Sequence, residues 1–270
     1  MGCWKSCCAP LYGNPDPSRM VVSLGLLDNT ESRTYLLEAS PDLPSQMGLL
    51  RKEASFEASI APAGIFLTHA HIGHYTGQMF LGREAMNASG VPVYALPRML
   101  KFLKGNGPWD QLVRLGNILL NPTSEKTPVR LSGHLEVRPF RVPHRDEYSE
   151  TAGYRITLSS RTALFITDID KWDRWEISLQ KILEEVDLAF LDATFFDATE
   201  IGYRDMDEIP HPFVVETMSL LENLPATLRK KVYFIHLNHT NPLLDPESPQ
   251  TKAVERSGFR VARFGDRFRL

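Results

Sequence analysis

Three histidines, His69, His71 and His74, fall within six residues of this chain. The apolar run at residues 64–67 leads directly into them and predicts a buried strand that ends where the imidazoles begin. Residues two apart in an extended segment face the same side, so His69 and His71 can converge on one ion, whereas His74 lies beyond the turn at Gly73. The pattern predicts two adjacent metal positions. The alternative is a polar loop that happens to be rich in histidine.

Three further side chains of the ligand type each follow an apolar run that is typical of a strand. They are His144 after residues 135–142, Asp168 after residues 163–167 and His236 after residues 232–235. A single histidine at a strand end is more often a hydrogen-bonded structural residue. The joint pattern favours zinc, because Zn²⁺ prefers imidazole and a carboxylate can bridge two ions.

Length and composition indicate one domain of α/β or sandwich type. With 270 residues, of which 43% are hydrophobic, the chain can bury a full core. A formal net charge of −3 gives no indication of a nucleic-acid partner, so we expect a small-molecule substrate. No apolar run is long enough to cross a bilayer and no signal core precedes Pro10, so we expect a cytoplasmic protein without a membrane partner. The oligomeric state is left open.

All three cysteines, Cys3, Cys7 and Cys8, lie in a short N-terminal segment of about residues 1–19. An odd number of cysteines so close together gives no basis for a disulfide framework. Two interpretations remain open: a structural zinc held by three thiolates and a fourth ligand from elsewhere, or free thiols near the terminus.

Hydrophobic periodicity predicts strands that alternate with helices. A hairpin is predicted at residues 21–27 and 34–38, and a long helix at residues 172–186 with Asp170 as its N-cap. Further strands are expected at residues 91–95, 135–142, 154–158, 162–167, 188–191 and 232–235, with a closing strand pair around Val261 and Phe268. Further helices are expected after Pro41, after Gly77 and at residues 97–103, 213–223 and 249–257. This order predicts two mixed β-sheets covered by helices.

The order of these motifs resembles the metallo-β-lactamase superfamily, whose first motif, H-x-H-x-D-H, is followed by a single His, a single Asp and a final His. The resemblance implies an αββα sandwich of two mixed β-sheets flanked by helices. It also implies roles for six residues. His69, His71 and His144 would bind the first metal, Asp168 would bridge, and His74 and His236 would bind the second.

One position departs from that motif. Gly73 stands where the family carries Asp, which removes a ligand from the second metal and predicts weaker binding there. His239, three residues after His236, is a candidate replacement. The alternative is that His239 is a surface residue or supports a ligand from outside the coordination sphere.

Within the superfamily, residues 187–196 and 234–249 are similar to coenzyme PQQ biosynthesis protein B. In that family a cysteine cluster follows an N-terminal strand, whereas here the cysteines begin at the third residue, which leaves open whether the printed start is internal. The PQQ protein itself resembles a form of the superfamily in which the first motif, H-x-H-x-D-H, is impaired. This chain keeps His69, His71 and His74, which is more typical of a hydrolase.

The proposed site suggests which groups handle protons. A metal-bound water loses its proton near neutral pH, because zinc lowers its pKa from 15.7 to about 7. Asp168 serves this site as the expected bridging carboxylate. Asp192, at the end of the strand at residues 188–191, is a candidate to orient a ligand or pass a proton. His211 and Arg204, on the polar loop at residues 203–212, are candidates to meet the substrate.

Three functions follow, in order of preference. The first is a hydrolase with one or two Zn²⁺ ions that cleaves an ester, lactone, thioester or phosphodiester. The second is a cofactor-biosynthesis enzyme similar to the PQQ protein, in which the same ligands hold iron or another metal such as manganese. The third is a metal-binding protein without catalysis, which the substitution at Gly73 suggests.

Overall fold

The structure of the protein is a computed structural model that describes residues 3–201 and 209–270. These residues group into two units. The first unit is Val21–Ser160, and the second is Arg161–Leu270 together with the N-terminal residues through Met20. The prediction of one domain over residues 1–270 stays a prediction. None of the helices in the described residues is long and apolar enough to cross a membrane.

The first unit contains a mixed sheet of five strands and a separate antiparallel ladder. The strands are β1 Leu24–Asp28, β2 Arg33–Leu37, β3 Gly64–Phe66, β4 Val91–Ala95, β5 Ile118–Pro122, β6 Val129–Arg130, β7 Leu135–Arg141 and β8 Ala152–Leu158. Strands β1 and β2 form the predicted hairpin, while β2 to β5 run parallel in chain order. Strands β6, β7 and β8 pair antiparallel. Because β2 and β3 are parallel, the residues that follow them emerge at the same edge of the sheet.

Short helices connect these strands. They are α1 Leu43–Glu53, α2 Ile72–Tyr75, a 3₁₀ helix Thr76–Leu81, α3 Pro97–Gly105 and α4 Trp109–Arg114. Helix α1 buries Leu43, Met47 and Leu50, which recur at helical spacing on one face and join the core of the unit. The helix expected after Gly77 is observed as the 3₁₀ helix Thr76–Leu81, which contains Gly77.

The second unit contains four parallel strands, in the spatial order β12, β11, β10, β9. They are β9 Arg161–Ile166, β10 Leu188–Asp192, β11 Val232–Ile235 and β12 Arg260–Val261. Its helices are α5 Leu179–Glu185, α6 Val214–Leu221, α7 Ala226–Arg229 and α8 Pro249–Arg256, with 3₁₀ helices Ala9–Tyr12, Trp172–Arg174, Ala198–Ile201 and Pro242–Leu244. The buried, nearly all-apolar strands are typical of a parallel sheet.

Two predicted elements are wrong. The helix from Asp170 is instead a 3₁₀ turn followed by α5, whose N-cap is Ser178. The Asp170 carboxylate is engaged by the Arg174 guanidinium at 2.7 Å, and the indole of Trp172 donates to Thr217 Oγ1 at 2.8 Å. These contacts use the side chains that the predicted helix would have needed for its cap and its apolar face.

The closing strand around Phe268 is also absent from the described residues, in which β12 is the last strand. The Phe268 ring packs edge-on against Phe190 and Tyr233, with centroid distances of 4.9 and 4.8 Å. Its apolar character thus reflects side-chain packing on the sheet and not backbone pairing.

Backbone contacts hold the end of β2 against the segment that carries His74. Ala39 N–H donates to the His74 carbonyl and Gly77 N–H donates to the Ala39 carbonyl, both at 2.9 Å. A Cβ on Gly77 would lie 1.9 Å from the Ser40 carbonyl oxygen. Only glycine permits this approach of two backbones.

Gly77→Ala is expected to lower the free energy of unfolding by about 2–4 kcal/mol, because the new methyl group clashes with backbone that cannot rotate away. Gly48→Ala is the matched control, since an added Cβ there meets nothing within 4 Å on an exposed helix face. Alanine at residue 48 should raise the stability by up to about 1 kcal/mol. Urea denaturation measures both; equal stabilities of the two variants would contradict the packing argument.

Candidate metal centre

The histidine triplet lies at the end of β3, as predicted. His69 follows the strand by three residues and is almost fully buried, and His74 lies inside α2 and is also buried. His69 Nε2 lies 2.8 Å from His71 Nδ1. The His69 and His74 ring centroids are 4.3 Å apart. The three imidazoles therefore face one another.

His144 joins this group from the end of β7. Its ring centroid lies 5.3 Å from that of His69 and 5.1 Å from that of His71. One ring nitrogen from each of these three residues lies within 4.8 Å of the other two. Zinc bonds of about 2.0–2.1 Å place tetrahedral donors about 3.3 Å apart, so small side-chain adjustments suffice to bind an ion.

A carboxylate and a hydroxyl determine which nitrogen of His69 carries hydrogen. Thr68 Oγ1 donates to Glu38 Oε1 at 2.5 Å and lies 2.8 Å from His69 Nδ1. Because the hydroxyl has one hydrogen and gives it to Glu38, it can only accept from His69. His69 thus carries its hydrogen on Nδ1, and Nε2 presents a lone pair to His71.

The same reasoning applies to His71 and His74. His71 Nε2 lies 3.2 Å from Glu147 Oε2, and His74 Nδ1 lies 3.2 Å from Glu38 Oε1. Carboxylate oxygens only accept, so these two nitrogens carry the hydrogens. His71 then presents the lone pair of Nδ1, and His74 that of Nε2.

These tautomers provide a test of whether the site suits a metal. When both rings are neutral and in these tautomers, His69 Nε2 and His71 Nδ1 approach to 2.8 Å with a lone pair on each. Two opposed lone pairs repel unless a cation accepts both. The arrangement therefore fits a divalent metal, with the other ring nitrogens held by hydrogen bonds in the way that is usual for zinc-binding histidines.

In the second unit, Asp168 follows β9 and His236 follows β11. His236 Nε2 lies 3.7 Å from Asp168 Oδ2, so an imidazole and a carboxylate face each other at the ends of parallel strands. His236 has a φ of 60°, in the left-handed region that non-glycine residues rarely adopt.

Asp192 repeats the hydroxyl-mediated contact seen at His69. Asp192 Oδ1 accepts from the Thr194 hydroxyl at 2.7 Å, and that hydroxyl lies 2.8 Å from His236 Nδ1. Its single hydrogen goes to Asp192, so His236 donates from Nδ1 and presents Nε2. Asp192 Oδ2 accepts from His211 Nδ1 at 2.7 Å.

Burial alone would raise the pKa of Asp192, but the charge of His211 and hydrogen bonds from His211 and His236 outweigh it and lower the pKa to about 2. Asp192 is therefore a buried, ionised carboxylate that serves two imidazoles. Arg204, the other candidate on this loop, lies outside the described residues.

His239 is not in the clusters of ligand atoms that the described residues form within 4.8 Å. Its Nδ1 is buried and accepts no hydrogen bond from the described residues. Burial, together with the nearby charge of Lys5, lowers its pKa. Its role as a replacement ligand stays a prediction.

The three cysteine sulfurs lie within 4.8 Å of one another. Cys7 Sγ and Cys8 Sγ are 3.7 Å apart, and Cys3 Sγ accepts from the Lys5 N–H at 3.4 Å. Burial and the neighbouring thiols raise the pKa of Cys8 to about 11, which disfavours its thiolate unless a cation is present. The geometry is compatible with a zinc site and with three free thiols, and zinc analysis of a Cys7→Ser variant separates the two.

Sequence reasoning missed four residues that support the imidazoles: Glu38, Thr68, Glu147 and Thr194. Three weak signals were available. A threonine directly precedes His69, and Thr194 lies two residues after Asp192. Glu38 follows the apolar strand β2, as the predicted ligands follow theirs. Glu147 had no signal, because its contact with His71 depends on the path of the loop after β7.

Known proteins share this architecture. A family model described as a β-lactamase superfamily domain matches residues 33–237. Coenzyme PQQ synthesis protein B of Gluconobacter oxydans is 29% identical over 264 residues, which cover 88% of this chain and 83% of that protein.

Two solved structures resemble this chain over its whole length. Zn²⁺-bound PqqB from Methylobacterium extorquens has a TM-score of 0.81 at 20% identity, covering 100% of this chain and 94% of that chain. A diphosphatase from the PhnP family has a TM-score of 0.64 at 21% identity, covering 100% of this chain and 92% of that chain. The predicted fold class, an α/β sandwich of two mixed sheets flanked by helices, is confirmed.

We expect His69→Ala to remove at least one equivalent of Zn²⁺ from the metal-loaded protein, because the buried Nε2 lone pair has no substitute. His134→Ala is the matched control, since His134 lies in the same unit but pairs with Asp28 at 3.0 Å. Equilibrium dialysis followed by elemental analysis gives the metal content. Equal zinc content in the two variants would exclude His69 as a ligand.

Proposed function

Because this chain belongs to the metallo-β-lactamase superfamily and is PqqB-like, we propose that it is a metal-dependent hydrolase of that superfamily. The observation that carries the proposal is the approach of His69 Nε2 to His71 Nδ1 at 2.8 Å, with the ring of His144 beside both. Such a set of three imidazoles is typical of a zinc site that activates water. The substrate we propose is a small molecule with an ester, lactone, thioester or phosphodiester bond.

The proposed ligands follow the order of the motifs along the chain. His69, His71 and His144 would hold a first metal, Asp168 is the proposed bridging carboxylate, and His74 and His236 would hold a second. Gly73 leaves the second position one ligand short, so it should bind more weakly, and His239 is the proposed replacement. Zinc suits the imidazole-rich set, while iron and manganese also accept imidazole and carboxylate ligands.

When bound, the metal supplies Lewis acidity and lowers the pKa of a coordinated water toward about 7. The chain's own residues have two tasks. Glu38, Thr68 and Glu147 hold the ligand rings in single tautomers, so that lone pairs point to the metal position. The burial of His69 and His74 limits water at their nitrogens and strengthens electrostatic interactions there.

His211 is the proposed proton donor to the leaving group. Its Nδ1 donates to Asp192, so Nε2 is the nitrogen that would hold and transfer the proton. A buried carboxylate that orients a partly exposed imidazole is common in acid–base catalysis.

A second candidate function rests on the relatives. The curated proteins similar to this chain include PQQ synthesis protein B from several bacteria, which favours a role in cofactor biosynthesis. In that function the same ligands hold iron and the reaction is an oxidation. Zn²⁺ does not change its oxidation state, so the activity that each added metal supports, and not the presence of zinc alone, separates the two candidates.

We expect chelation to abolish activity on a panel of chromogenic esters, lactones, thioesters and phosphodiesters, and Zn²⁺ to restore it. Elemental analysis of protein purified without added metal identifies the resident ion. Recovery with Fe²⁺ alone, with consumption of oxygen, would support the second candidate. Full metal occupancy without any activity would instead indicate a binding protein.

His211→Gln is expected to lower kcat by about 10²–10⁴-fold while leaving the metal content unchanged, because general acid catalysis contributes in that range. The loss should be largest for substrates with poor leaving groups, which need protonation, and small for 4-nitrophenyl substrates. A loss that is equal for all leaving groups would exclude His211 as the proton donor.

A further inference from the structure

We propose that Tyr148 is a specificity-determining residue that stacks on a flat aromatic ring of the substrate beside the candidate metal centre. The inference rests on the proposed function and adds a substrate class to it, an ester or thioester with an aromatic ring close to the cleaved bond. Tyr148 follows Glu147, whose carboxylate lies 3.2 Å from Nε2 of the proposed ligand His71. Despite this position next to a buried site, Tyr148 is 65% exposed.

The backbone on both sides of Tyr148 is attached to the histidine motif. Before it, the Glu147 side chain contacts the ring of His71. After it, the buried hydroxyl of Ser149 accepts a hydrogen bond from the Ala70 N–H at 2.9 Å, and Ala70 directly precedes His71. Because consecutive Cα atoms are about 3.8 Å apart, these two attachments keep Tyr148 close to the ligand histidine.

A third attachment joins the same loop, residues 144–151, to helix α3. Glu150 is buried, and its carboxylate accepts from two backbone N–H groups in the first turn of this helix, at 3.1 and 3.2 Å. Such N–H groups have no partner within a helix, and an acidic side chain is favourable at this end. The Arg98 guanidinium also donates to the Asp146 carbonyl at 2.8 Å. The loop is therefore held against α3, which carries Phe102.

Three aromatic side chains of the first unit support the Tyr148 ring. Its centroid lies 5.5 Å from that of Phe102. The Tyr75 ring lies 5.3 Å from Phe102 and 4.7 Å from Trp109. Tyr75 is buried and directly follows His74, and its burial, together with the nearby phenol of Tyr148, raises its pKa. Tyr148 is thus the exposed end of a cluster of four rings that begins at the histidine motif.

This support matters because an exposed side chain loses conformational entropy when a ligand orders it. The packing on Phe102 and the attached loop already restrict Tyr148, so a ligand ring gains apolar contact at little ordering cost. Ile72, which follows His71, is a second exposed apolar side chain, at 74%. Exposed apolar groups beside a candidate reaction centre are typical of a ligand site. A flat ring suits Tyr148 better than an alkyl chain, because offset or edge-to-face ring pairs add stabilisation beyond the burial of area.

Two thioesters test the preference for a ring. The S-ethyl thioesters of phenylacetic and cyclohexylacetic acid share the leaving group and have similar size, but only the first contains a flat ring. Tyr148→Leu removes the aromatic ring and keeps an apolar side chain, whereas Tyr148→Phe keeps the ring. Tyr12→Leu is the matched control, because Tyr12 is an exposed tyrosine of the other unit that stacks on Trp4 at 4.5 Å.

We expect the unaltered protein to favour the phenylacetyl thioester in kcat/KM. Tyr148→Leu should reduce the ratio of the two kcat/KM values by about 3–10-fold, the range that loss of one aromatic pair gives. Tyr148→Phe and Tyr12→Leu should keep the ratio of the unaltered protein. A purely structural role of Tyr148 would lower kcat/KM for both thioesters equally, and an unchanged ratio in Tyr148→Leu would overturn the inference.

A second measurement requires no turnover and therefore separates this inference from the proposed function. The ketones in which a methylene group replaces the sulfur of each thioester cannot be hydrolysed at that bond. Titrations followed by saturation-transfer NMR give the Kd of each ketone for the protein as purified. The Kd of the phenyl ketone should rise by about 3–10-fold in Tyr148→Leu and stay unchanged in Tyr148→Phe. If no thioester is cleaved, the proposed function fails while this result still tests Tyr148. An equal Kd of the phenyl ketone for Tyr148→Leu and the unaltered protein would refute the stacking role.

Discussion

The interaction on which the candidate site depends is a hydrogen bond that runs from a buried carboxylate through a threonine hydroxyl to an imidazole. The described residues of both units contain it, as Glu38–Thr68–His69 and as Asp192–Thr194–His236. A hydroxyl has one hydrogen, so donation to the carboxylate forces the ring to donate to the hydroxyl. Each imidazole is thereby held in one tautomer with its outer nitrogen available to a metal.

The fold explains why this contact can form twice. In each unit, parallel strands end at a common edge, where a carboxylate at the end of one strand meets a histidine that follows a neighbouring strand. The threonine between them follows the strand of the histidine in the first unit and the strand of the carboxylate in the second. Glu38 follows β2 beside Thr68, which follows β3, while Asp192 ends β10 beside β11, which precedes His236. Both units also use a left-handed residue at such a strand end, Glu38 and His236.

Membership of the metallo-β-lactamase superfamily and the kept first histidine motif favour hydrolysis, whereas the relatives' name favours cofactor biosynthesis. The two functions would use the same ligands and the same supporting carboxylates. The two proposals differ in the metal and in the proton transfer that we propose for His211 and Asp192.

The sequence by itself determined which residue types end the strands. The triplet His69, His71 and His74, the strand runs and the order of motifs led to the family and to its fold, because they depend only on local periodicity and spacing. The helix expected at Asp170 and the strand expected at Phe268 failed because tertiary contacts of Trp172 and Phe268 outweighed local propensity.

Only the tertiary structure decided that Glu38 and Glu147 support the ligands and which nitrogen of each ring carries hydrogen. Glu38 and Thr68 are thirty residues apart, and their hydrogen bond exists only because a crossover connection makes β2 and β3 parallel neighbours. The spacing of residues along either strand does not indicate this pairing, because it depends on which strands lie side by side in the sheet.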